Sequence, residues 1–166
     1  RVGNVIEATA AVGSSMSFRE SICQSRLGID KLDQIENVSV YDLKGKRQSK
    51  LVWLQLNGYA NHSAILLSYC GDEFRVLRKY SSRGLLFYFS AENQKGYLLH
   101  TNNSQVTHFK VDELERITEE KVITYSKEWR EVVSFGVSIY PERLYYLTKE
   151  RNVLYSYSLH DRSGEL

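Results

Sequence analysis

The sequence predicts a mainly β fold: an antiparallel β-sandwich or open barrel preceded by short N-terminal helices, with part of a β-propeller as the alternative. Three observations carry that reading. From Asn37 onward, β-branched and aromatic residues gather in short runs broken by Gly, Asn, Asp and Ser, as strands joined by tight turns require. Several of these runs alternate apolar and polar residues with period two. A strand-turn-strand pattern is also written twice, over residues 97–111 and 144–159, about 47 residues apart, a spacing typical of repeated β-units.

Residues 1–36 differ from the rest and read as a helical N-terminal segment. Phe18, Ile22 and Leu27, then Ile29, Leu32 and Ile35, recur near the spacing of a helical turn. Ser15 is a plausible cap for a helix over 16–23, and Gly28 a stop before a second short helix over 30–36. Residues 37–166 then form one antiparallel β domain. Its strand-like runs are 38–43, 50–56, 63–69, 74–80, 85–89, 97–101, 106–111, 122–125, 132–140, 144–148 and 153–159. The connections 44–46, 57–58, 70–73 and 81–84 supply the Gly, Asn and Asp that hairpin turns need.

Alternation assigns faces to these strands. Val133, Phe135, Val137 and Ile139 share an apolar face opposite Ser134, Gly136 and Ser138. Val153, Tyr155, Tyr157 and Leu159 share another, which places Tyr155 and Tyr157 in the core. Runs 64–67 and 85–89 are apolar on both faces and read as central strands packed from two sides or covered by the N-terminal helices. Residues 112–120, acidic at the front with Leu114 and Ile117 three apart, suit either one or two helical turns or a polar hairpin loop. A propeller blade takes roughly 40–50 residues and closure takes at least four, so about 130 strand-rich residues exclude a complete propeller. The strands upstream of residue 97 do not continue the period in sequence, which ranks the sandwich or barrel first.

Composition bounds the function. With 166 residues the chain is long enough for one hydrophobic core, and its ordinary apolar and charged fractions describe a globular, water-soluble protein. The 22 basic and 20 acidic residues are interspersed, giving a formal charge of +2 without the one-sided basic stripe that a phosphate backbone demands. Nucleic acid is therefore not a favoured partner. No apolar run reaches the roughly 18–20 residues of a membrane span. Cys23 and Cys70 stand far apart without a Cys/His partner set, so no zinc or redox motif is present; two free thiols are the first reading and a disulfide the second. A chain beginning at Arg1 suggests a processed product or an excised fragment. Three Asn-x-Ser triplets, starting at Asn37, Asn61 and Asn102, lie at strand ends or turns where a glycan would reach solvent in a secreted protein.

Tyrosine, present 12 times, is the compositional outlier. An exposed tyrosine combines a flat apolar surface with a hydroxyl and can stack on a sugar ring or anchor a protein partner. Tyr59, with Asn61 and His62 in the same turn, and the Tyr145-Tyr146 pair are the candidate binding residues. His100 and His108, on neighbouring strands, would form a metal or acid–base site only if they met a carboxylate across their hairpin. The sequence contains no phosphate loop, no nucleophile elbow and no cofactor motif, so no catalytic, metal or cofactor residue is assigned. The expected function is a non-catalytic binding or assembly module that contacts a protein or glycan partner, with homo-oligomerisation consistent with it. The rivals are a glycosidase or metal-dependent nuclease whose acids, such as Asp72, Asp112 and Glu120, meet only in the fold, and a scaffold domain of a larger complex or viral surface structure.

Overall fold

The computed structural model describes residues 34–159 apart from 46, 59, 72, 151 and 152. The described chain is mainly β, with three antiparallel sheets. Strands β1 (Ile35–Asp42), β2 (Lys50–Leu56), β3 (Ala64–Cys70) and β4 (Glu73–Tyr80) pair in chain order. So do β5 (Leu85–Ser90), β6 (Lys95–His100), β7 (Gln105–Val111) and β8 (Ile117–Tyr125). The third sheet is the meander β9 (Val132–Ile139), β10 (Glu142–Thr148) and β11 (Leu154–Ser158). The predicted helices lie almost wholly outside the described residues; Ile35 and Glu36, assigned to the second helix, instead open β1.

The doubled pattern in the sequence is structural. Strands β6–β7 and β10–β11 hold the second and third places of their sheets, and β2–β3 hold the same places in the first. The upstream strands therefore do continue the repeat, contrary to the sequence reading. β2, β6 and β10 begin 45 and 47 residues apart, but β3 and β7 begin only 41 apart, and unequal turns of this kind hide a period from the sequence.

The chain divides into two compact units, one holding β1–β4 with Asp112–Arg116 and the other holding β5–β11. In the first unit, Val52, Leu54, Ile65 and Leu67 form a buried cluster with Ile35, Leu56 and Ala60. Leu51, Trp53 and Leu66, which alternate with them along the strands, are buried as well, so β2 and β3 are covered on both faces as the apolar run 64–67 requires.

Residues 112–116 form a turn rather than helical turns. The Asp112 carboxylate accepts hydrogen bonds from the backbone N–H of Leu114 (3.0 Å) and Arg116 (2.8 Å) and from Arg116 Nε (3.0 Å). β8 follows at once from Ile117, five residues before the expected strand start.

In the second unit the two sheets pack over a shared core, a sandwich-like arrangement. Tyr97, Leu99 and Val106 of one sheet meet Val132, Val137, Leu144 and Tyr146 of the other, with Trp129 and Leu159. The described strands close no barrel. β5 is an edge strand, not a central one, yet its two-faced apolarity is used: Leu86 and Tyr88 pack on the shared core, while Phe87 stacks on Phe109 with ring centroids 6.1 Å apart. Cys70 is a free thiol, and Cys23 lies outside the described residues. Among the described residues, no helix is long and apolar enough to cross a membrane.

Candidate binding cleft on the third sheet

The antiparallel register of β10 and β11 sets Tyr146 directly opposite Tyr155. Their rings stack, with centroids 5.2 Å apart and planes 16° apart. A short 3-10 turn, Lys127–Glu131, places Trp129 beneath them. Ser126 caps this turn by accepting the backbone N–H of Glu128 (3.3 Å), which frees the turn from strand geometry and carries Trp129 into the core. The indole meets Tyr146 edge-on at 5.0 Å and 81°, and Tyr157 at 5.2 Å and 77°. It is fully buried, and its Nε1 has no hydrogen-bond partner among the described residues.

The same turn supplies the acids. Tyr146 donates its hydroxyl to Glu128 Oε2 at 2.5 Å. Burial, then the Glu128 carboxylate, pushes the Tyr146 phenol well above its usual range, so it stays a donor at physiological pH. Over this aromatic floor lies a cleft of about 370 Å³, lined by Tyr146, Tyr155, Glu128, Glu131, Lys149 and Glu150. Lys149 Nζ lies 3.6 Å from Glu131 Oε2. Three carboxylates against one ammonium make the cleft attractive to cations, and Tyr155, stacked on Tyr146, stays 39% exposed beside them.

The expected core position of Tyr155 is corrected. The apolar face of β11 is covered only at one end: Leu159 is 6% exposed and Tyr157 is half-buried against Trp129, whereas Tyr155 and Val153 are 39% and 50% exposed. β11 is the edge of its sheet, and Trp129 and Leu144 reach only its far end.

Of the residues singled out in the sequence, Tyr146 lines this cleft. Tyr145, half-buried, points to the opposite face of β10. Asn61, exposed, and His62, half-buried with a buried Nδ1 that has no partner among the described residues, lie in the β2–β3 connection of the first unit; Tyr59 lies outside the described residues. Asn37, Asn61 and Asn102 are all exposed. His100 and His108 fall on opposite faces of their sheet, since His108 pairs with Tyr97 and His100 bonds Thr107, the neighbour of Leu98. The Asp112 carboxylate is engaged in its own turn, Glu120 belongs to the other unit, and Asp72 lies outside the described residues. No group of three metal-ligating side chains occurs among the described residues.

Sequence reasoning missed Glu128, Trp129 and Glu131. The one available clue was a tryptophan in an otherwise charged connection, Ser126-Lys127-Glu128-Trp129-Arg130-Glu131, because so large an apolar side chain amid charges marks an anchor.

Fold and cleft together define a mainly β protein built of consecutive antiparallel meanders and carrying an aromatic, acid-rimmed recess. No protein-family model matches the sequence, and no curated protein does. Among solved structures, the chain is similar to a luciferin-regenerating enzyme, with a TM-score of 0.50 at 10% identity, over 75% of this chain and 44% of that one. The chain thus spans less than half the length of that protein, and the likeness is one of fold alone.

Proposed function

We propose that the chain is a non-catalytic binding module that docks a protein partner by seating a lysine or arginine side chain in the cleft of the third sheet. The observation that carries this reading is the stacked Tyr146–Tyr155 pair over Trp129 in a recess rimmed by Glu128, Glu131 and Glu150. A cation laid on the exposed ring of Tyr155 gains cation–π attraction, and the rim carboxylates supply charge and hydrogen-bond acceptors. At about 370 Å³ the cleft is within the range of small-molecule sites and accommodates one long side chain with its stem.

The test is titration of the chain with short arginine- and lysine-containing peptides and, separately, with neutral oligosaccharides, in a Trp53→Phe background where Trp129 is the reporting indole. Saturable binding of the cationic peptide is expected, weakened roughly 2- to 30-fold by Tyr155→Ala. Saturation by the oligosaccharide instead would make the partner a glycan. Cleavage of that oligosaccharide, lost in Glu128→Gln, would replace a binding module with a hydrolase.

A further inference from the structure

The second unit has another recess, built on the β6–β7–β8 rungs and separate from the tyrosine cleft in its lining. Tyr97 pairs with His108 and His108 with Lys121, while Lys95 pairs with Lys110, so four basic side chains share one face of the sheet. A register shift in β8 between the partners of His108 and Lys110, with Glu119 at a φ of 55°, opens the ladder at that point. The resulting cleft holds about 150 Å³ and is lined by Lys95, His108, Phe109, Lys110, Glu119 and Lys121.

Two features of this cleft are unexplained by folding alone. His108 is only 7% exposed, and its buried Nδ1 has no hydrogen-bond partner among the described residues, which leaves a costly unsatisfied polar atom. Three ammonium groups also line the cleft against one carboxylate. Lys110 Nζ is 3.2 Å from Glu119 Oε2, and Lys95 Nζ is 3.6 Å from Glu142 Oε2, which already accepts the Tyr97 hydroxyl at 2.5 Å. Positive charge is thus left over at the rim, where Lys121 is exposed.

We infer that this cleft binds a small tetrahedral oxyanion, inorganic phosphate or the terminal phosphate of a monoester, held by Lys95, Lys110, Lys121 and an N–H of His108. The anion satisfies the orphaned imidazole nitrogen and offsets the crowded ammonium groups in one step. Burial, then Lys95, holds the imidazole below its ordinary pKa; a neutral ring still offers one N–H donor. The volume suits a small anion rather than a drug-sized molecule, which takes roughly 300 Å³ or more.

The experiment is calorimetric titration of the full chain with inorganic phosphate and with phenyl phosphate at constant ionic strength, with histidine ring nitrogens followed by NMR. Saturable phosphate binding, with the His108 resonances moving while those of His62 stay fixed, is the expected result. Lys121→Glu, a change at an exposed position, should weaken it at least about tenfold, and Lys95→Ala should do likewise. Tighter binding of phenyl phosphate points to a monoester, and equal or weaker binding to free phosphate; either outcome supports the site. The inference is overturned by no saturation below roughly 10 mM phosphate, by chloride competing as well as sulfate does, or by equal affinity in wild type and Lys121→Glu.

Discussion

Glu115 offers the sharpest test of how the first unit is held together. It sits in the 112–116 turn at a φ of 61° and is 6% exposed. Its carboxylate accepts two hydrogen bonds from Arg47, from Nε at 3.1 Å and Nη2 at 2.9 Å, and a third from Ser49 Oγ at 2.6 Å. The bidentate Arg47 contact dominates, with Ser49 adding to it and burial opposing, and together they hold the carboxyl at about 2 against an ordinary 4.5. That difference corresponds to about 3 kcal/mol. Arg47 is 47% exposed and screened by water, so about 2 kcal/mol is the working figure. Because the folded carboxyl is depressed, its contribution is fully present above about 4.5 and is lost as pH falls towards 2.

Glu115→Gln should therefore cost about 2 kcal/mol at neutral pH and almost nothing near pH 2. The chain has two tryptophans, and Trp53 lies on β2 of the first unit, so a Trp129→Phe background makes Trp53 fluorescence report that unit alone. With a urea dependence of about 2 kcal/mol per molar, the neutral-pH midpoint should fall by roughly 1 M. A fall below about 0.3 M, or an equal fall near pH 2, would refute the reasoning.

Two further outcomes follow from the second unit. A Cβ at Gly96 would lie 2.4 Å from Phe109 Cζ, and the Phe109 ring is 1% exposed and cannot swing clear. Gly96→Ala should destabilise this unit by about 1–3 kcal/mol, read from Trp129 fluorescence in a Trp53→Phe background, and Phe109→Leu in the same chain should recover part of the loss. Burial holds both His100 and His108 below their ordinary 6.5, so the unfolded chain binds their protons first and stability declines as pH drops below that value. Imidazole resonances that titrate at or above 6.5 would contradict the burial of both rings.

What the sequence reveals depends on which physical signal each element carries. β3 carries an apolar run set by burial on both faces and β9 a period-two alternation, and both are readable in the sequence. The first half of β8, Ile117 to Lys121, is polar and largely exposed; its strand identity comes from pairing with β7, a non-local cause that no local pattern records. Alternation placed Tyr155 on the correct face of β11, alongside Leu159. Period two reports which face a residue occupies, not how far along the strand that face is covered, so the exposure of Tyr155 was beyond it. Glu128 and Glu131 were missed because a five-residue 3-10 turn is too short to show a period.

Register explains why this repeated fold places an aromatic cleft on its third meander. Leu54, Leu99 and Tyr146 are each the fifth residue of the second strand in their sheets, and their cross-strand partners are Ile65, Val106 and Tyr155. In the first two sheets this rung is aliphatic and fully buried. In the third it is a tyrosine pair that stacks, turns one hydroxyl to Glu128 and leaves Tyr155 exposed. The sequence alignment of the two copies sets Val106 against Val153, but the structural rung sets it against Tyr155. The chain between paired residues is two residues longer in the third sheet than in the second, 146 to 155 against 99 to 106, and shorter than the 54 to 65 of the first. The connection of the third sheet carries Lys149 and Glu150 at the cleft rim. The repeat thus accounts for the core, and the departures from it, a tyrosine rung, the loop residues Lys149 and Glu150 and the 127–131 turn, supply the groups on which the binding proposal rests.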